Sequence, residues 1–225
     1  MINNEQIYSQ IHTSFFDKII IKKRLEILNV LNLYFKDQTF NDVLDIGTTN
    51  DISESSNLLI KNLKNIKFYK SISNQKINSD LFSKILKKSI TSDLTETEVE
   101  DFKSDLVISN ATIEHVGSLE NQIKMCDNII KLSKKYFVIC TPNRFHPIEF
   151  HTKLPFIHWL KKSLYRKILK KINLNFFSKE ENLNLLSQSD LTLIMKKLNF
   201  EKYEIKKIKF LSFSSNLILI GTKSI

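Results

Sequence analysis

Asp45 lies in the apolar run Val43, Leu44 and Ile46, and Gly47 follows it within NDVLDIGTTND. A carboxylate at the tip of a buried strand repels a phosphate and attracts a cation, and a glycine there lets the backbone turn and a ligand approach. A dinucleotide site would want several glycines and no such acid. A second concentration of reactive groups is TPNRFHPIEFHTKLP, which holds Arg144, His146, Glu149 and His151. It also holds all three prolines, Pro142, Pro147 and Pro155, and a stiff polar segment that is costly to order argues for a function. Histidine near neutral pH is the usual general base toward a hydroxyl. Four of the five histidines, His115, His146, His151 and His158, fall in the second half of the chain.

These side chains need a scaffold. The run at 42–47 reads as a buried parallel strand, and Ser53, Glu54, Leu58, Leu59, Ile60 and Leu63 predict an N-capped amphipathic helix after it. A strand at 66–69, a helix over 79–88, strands at 89–94 and 105–109, a helix over 118–133 and a strand at 136–140 continue the alternation. That is the rhythm of an α/β doubly wound parallel sheet. The end differs: 202–213 and 216–222 are β-rich and joined by Ser214-Ser215, too short for a crossover, so they form an antiparallel hairpin. The apolar spacing over 4–37 predicts two helices against the sheet edge or over the site, where His12 could touch a substrate.

At 225 residues and 42% hydrophobic, the chain fits one domain, 1–225, with a substantial core. Its balance of 34 basic to 24 acidic residues could favour an anionic partner, although lysine, asparagine and isoleucine are abundant throughout and explain much of it. Cys126 and Cys140 lack zinc-ligand spacing and read as buried thiols of a reducing compartment. No basic leader or spanning apolar stretch is visible, so a cytoplasmic location is expected. Lys153 to Lys171 has seven basic residues and no acid, with Ile157, Leu160, Leu164 and Ile168 as one stripe. Such a helix could lie on an anionic membrane, pack on the domain or form a homodimer face.

VLDIG, SDL, DLVISNATIEHV and FVICTPNRF, in this order and followed by the hairpin, resemble the class I S-adenosylmethionine-dependent methyltransferases over about residues 40–222. The resemblance implies a Rossmann-like sheet of about seven strands, mostly parallel with a C-terminal antiparallel hairpin and a helical N-terminal extension. It divides the domain into a cap (1–38), a cofactor-binding half (40–140), a substrate loop with basic helix (141–178) and a C-terminal helix with hairpin (179–225). It places Asp45, Gly47, Thr48 and Asn50 around the methionine part of S-adenosylmethionine, Asp93 and Leu94 at its adenine, and Asn110 and Ala111 beside the sulfonium and acceptor. Two departures stand out. The loop reads Gly-Thr-Thr-Asn where glycines are usual, with Asn50 suited to a left-handed turn. The second strand ends in Lys70-Ser71-Ile72-Ser73-Asn74 without the acid that grips the ribose, leaving Ser73 or Asn74 to hydrogen-bond it.

TPNRFHPIEFHTKLPFIHWL looks like a subgroup associated with cell-surface carbohydrate pathways, so the expected acceptor is a small molecule, a sugar hydroxyl or amino group of a glycan precursor. A hydroxyl acceptor needs a base, which falls to His146 or His151, with His115 as a further candidate or a cofactor-pocket residue. Arg144 and Glu149 are expected to orient the acceptor. No metal is expected. Nucleic acid is not, since Ser109-Asn110-Ala111-Thr112 lacks the proline and aromatic that clamp a flipped base. The alternative is a methyltransferase fold that has lost catalysis and serves as a binding or assembly subunit.

Overall fold

The structure, a computed structural model, describes residues 14–51 and 55–223. Helix α1 (Ser14–Tyr34) precedes β1 (Phe40–Ile46), α2 (Leu58–Asn62), β2 (Ile66–Ser73), β3 (Lys84–Lys87), α3 (Glu96–Phe102) and β4 (Ser104–Asn110). Then follow α4 (Leu119–Leu132), β5 (Ser133–Pro142), α5 (Lys162–Lys171), α6 (Gln188–Lys197), β6 (Tyr203–Phe210) and β7 (Phe213–Thr222). The strands form one sheet in the order β3-β2-β1-β4-β5-β7-β6. The first five run parallel, and β7 pairs antiparallel with both β5 and β6. This is the expected α/β sheet with its closing hairpin.

The central strands are buried on both faces, so their apolar runs are continuous instead of alternating. Val43, Leu106, Ile108 and Val138 join Ile27, Leu31 and Phe35 of α1 in one layer, which also holds Cys140. Leu44, Ile46, Val107 and Ile139 face the other way onto Met125, Cys126 and Ile129 of α4 and Leu191 and Ile194 of α6. Burial raises both thiols, Cys126 to about 12. From β1 the chain winds outward through β2 and β3, then returns to β4 and winds the other way. The crevice at the carboxyl ends of β1 and β4 is where such sheets take ligands.

Several local expectations are corrected. The third strand is Lys84–Lys87, within the stretch read as a helix, and 89–94 is loop. Its apolar doublets fit a helix, but Lys84–Lys87 pairs with Lys70–Ser73 as a short edge strand. Helix α3, not expected, starts at a capping box in which Thr95 and Glu98 satisfy each other's backbone. The described part of the N-terminal region is one helix, and Ile7, Ile11 and His12 lie outside the described residues, as do Ser53 and Glu54. Helix α2 begins only after Asn57, which is left-handed at φ 54 and makes no side-chain cap. The hairpin turns at Leu211-Ser212, both at positive φ, so Ser214 and Ser215 belong to β7. The basic stretch is not one helix. Phe156 at φ 60 and an extended Leu160 bracket a short 3-10 turn, and α5 starts at Lys162. Its buried face is Tyr165 and Leu169, packed with Phe177, Leu183 and Leu185, while Leu164 is exposed.

Candidate active site

A cavity of about 960 Å³ opens at the carboxyl ends of β1, β2 and β4. Among the predicted residues it brings together Asp45, Gly47, Thr48, Asn50, Ser73, Asn110, Ala111, His115 and His151. Gly47 sits at φ 91, and a Cβ added there would overlap the Thr112 side chain, so both conformation and space demand glycine. Asp45 is buried at the tip of β1, where its carboxylate accepts from Thr48 Oγ1 at 2.5 Å. Ser71 Oγ in turn donates to Thr48 Oγ1 at 2.7 Å. Burial pushes Asp45 up to about 6, with the Thr48 hydrogen bond pulling the other way.

The glycine-poor loop is held by side chains. Asn57 Nδ2 donates to the Thr49 carbonyl at 2.7 Å, and Thr49 N–H donates to Asn57 Oδ1 at 3.2 Å. Asn50 Nδ2 donates to the Lys76 carbonyl at 2.6 Å, clasping the loop after β2, and its backbone is not left-handed. Ser73 Oγ donates to the Thr48 carbonyl at 2.7 Å, so this serine braces the loop, and Asn74 and Gln75 are the amides lining the cavity there. Left-handed residues at the site are instead Asn57 and, directly after β4, Ala111, both at φ 54.

Asp93 and Leu94 do not line the cavity. The Asp93 side chain is 93% exposed and pairs with Lys124, whereas Lys88, Ser89, Ile90 and Thr91 form this wall. Their loop is fixed by Asn128 Nδ2, which donates to the carbonyls of Ile90 and Ser92 at 2.6 and 2.9 Å. The shift follows from the third strand lying earlier than its apolar pattern suggested.

The histidines separate by position. His146 is buried away from the cavity, stacked on Phe150 and Phe210 with ring centroids 5.1 and 5.6 Å apart. Arg144 is also elsewhere, donating to the carbonyls of His158 and Leu160 at 3.2 and 2.8 Å. His151 lines the cavity, with Glu149 behind it. Burial opposes charge on Glu149, but His151 and hydrogen bonds from the His151 and Thr152 backbone and the Thr152 hydroxyl hold it down to about 2. His151 Nδ1 therefore donates to Glu149 Oε1, at 2.6 Å, and the His115 ring lies edge-on to His151 at 4.9 Å. Burial disfavours charge on His151 and Glu149 favours it, the net direction being up.

Residues missed from the sequence are Arg24 of α1, which lines the cavity and donates to the Ser55 carbonyl, the bracing Asn57, and Phe176 and Phe177 on the far wall. Arg24 carried a signal: it is one of three arginines in a chain that otherwise uses lysine.

No family model matches the chain, and no curated protein does. Solved structures do. The chain is similar to magnesium protoporphyrin IX methyltransferase from Synechocystis PCC 6803 with bound S-adenosylhomocysteine, at TM-score 0.56 and 13% identity over 97% of this chain and 92% of that one. It is similar to the 1,6-didemethyltoxoflavin-N1-methyltransferase of Burkholderia thailandensis, at TM-score 0.56 and 9% identity over 91% and 80%. The N-methyltransferase NodS of Bradyrhizobium japonicum WM9 aligns at TM-score 0.53 and 9% identity over 89% and 87%. The fold is that of the class I methyltransferases.

Proposed function

We propose that the chain is an S-adenosylmethionine-dependent methyltransferase acting on a polar small molecule, a sugar hydroxyl or amino group of a glycan precursor. The carrying observation is Asp45, a buried carboxylate without a basic partner among the described residues, at the mouth of the cavity that Gly47 also lines. When bound, S-adenosylmethionine supplies an electrophilic methyl group and carries its own ammonium. Asp45 meets that ammonium, Gly47 lets the backbone approach, Asn74 and Gln75 offer amides to the ribose hydroxyls, and Ile90 packs the adenine. At the other end His151, fixed by Glu149, receives the acceptor, so the chain's contribution is orientation in a walled cavity. The proteins it resembles in fold act on porphyrin and toxoflavin substrates, and the sugar rests on the TPNRFHPIEFHTKLP segment and the polar wall around it.

A lipid-linked acceptor is favoured by one further feature. Phe156 (54% exposed), Trp159 (40%) and Leu164 (47%) stand out beside the site loop among the lysines of α5. Calorimetric titration with S-adenosylmethionine tests the core reading. Micromolar binding lost in Asp45→Ala is expected, and a folded protein that binds neither the cofactor nor its demethylated product turns the reading to a non-catalytic binding subunit.

A further inference from the structure

His115 and His151 line the cavity, and the buried Glu114 lies with them, one donor atom from each being within 4.8 Å of the others. Both imidazoles are held by oxygen on the same side. His115 Nδ1 donates to the Asn182 carbonyl at 2.6 Å, and His151 Nδ1 donates to the Glu149 carboxylate at 2.6 Å. Each neutral ring therefore carries its lone pair on Nε2. An outer oxygen on the far nitrogen is how proteins fix the tautomer and aim of a metal-binding histidine. Glu114 is fully buried, and its Oε2 accepts from Thr141 Oγ1 at 2.9 Å. Its Oε1 has no hydrogen-bond partner among the described residues. Arg24 attracts this carboxylate through space but does not donate to that oxygen. A buried carboxylate oxygen without a donor is costly unless a cation meets it.

We propose that Glu114, His115 and His151 bind one divalent transition-metal ion. Two imidazoles and a carboxylate suit such an ion and leave coordination positions open to the cavity. Its role rests on the methyltransferase reading: an acceptor hydroxyl takes an open position and becomes more acidic there, which makes His151 a ligand in place of a base. The binding itself does not depend on that reading. Glu149 and Asn182 are then the positioning groups that orient the two rings.

The test is titration of metal-stripped, full-length protein with Co²⁺ alone, followed by its visible absorption. Saturable binding of one equivalent with new visible bands is expected, weakened by about tenfold or more in Glu114→Gln, His151→Asn and the positioning variant Glu149→Gln. Each variant is checked by circular dichroism. Should one fail to fold, pulsed paramagnetic resonance of the Mn²⁺-loaded wild type reads the same site through coupling to imidazole nitrogen. Asp45→Ala is expected to lose S-adenosylmethionine and keep Co²⁺, which separates failure of the cofactor reading from failure of this one. No saturable Co²⁺ binding, binding that folded ligand variants leave unchanged, or a Mn²⁺ signal without nitrogen coupling overturns the site.

Discussion

Asp45 has a carboxyl whose burial holds it near 6, and that sets two opposite pH effects. The unfolded chain protonates this group near 3.8, so between the two values the folded state binds more protons. Its stability contribution is full at low pH and is lost as pH rises through about 6, a swing on the order of 3 kcal/mol. Asp45→Asn is therefore expected to raise the melting temperature at about pH 8 and to match the wild type below about pH 4. Cofactor affinity runs the other way, because the ammonium needs the carboxylate. It is expected to fall about tenfold per pH unit below about 6, read by calorimetry across a pH series. The two loop histidines part in the same manner. His151→Ala is expected to cut turnover by roughly 10² with cofactor binding retained. His146→Ala, losing its stack between Phe150 and Phe210, is expected to cost about 1–3 kcal/mol in denaturant unfolding while the cofactor still binds.

At the scale of elements, α5 is the sharpest case. Leu169 is buried and Leu164 is 47% exposed, so Leu169→Ala is expected to cost about 2–5 kcal/mol and Leu164→Ala less than about 0.5 in equilibrium unfolding. The apolar stripe read along the sequence grouped Leu164 with Ile157, Leu160 and Ile168 and left open whether it packs on the domain, a second copy or a membrane. Doubly buried strands announce themselves by continuous apolar runs, which is why β1, β4, β5 and β7 were legible. Edge strand β3 carries two lysines and pairs on one side, so local pattern favoured a helix and displaced the expected adenine contact to Asp93. Positive φ at Phe156, Leu211 and Ser212 has no sequence signature, since such residues are held there by tertiary contacts. For the site, Asp45 and Gly47 were legible because strand, acid and glycine are contiguous. The meeting of His115 with His151 depends on how two distant segments fold together.

For the whole molecule, the proposed lipid-linked acceptor rests on the formal charge of +10 together with the exposed Phe156 and Trp159. Trp159 is the sole tryptophan, so its emission reports that face directly. A blue shift with anionic but not neutral vesicles, reversed by salt and absent in Phe156→Ser, is the expected outcome of surface binding. No shift with either vesicle removes the lipid-linked acceptor from consideration. No helix among the described residues is long and apolar enough to cross a membrane.

The two cysteines lie in opposite layers of the sheet, both buried, and burial raises both thiols. Each is thus a silent clock for its own layer, and alkylation under native conditions measures how often that layer parts from the sheet. Equal labelling rates at Cys126 and Cys140 would mean that the molecule opens as one body. A faster Cys126 would mean that α4 peels away while the floor of the crevice stays assembled.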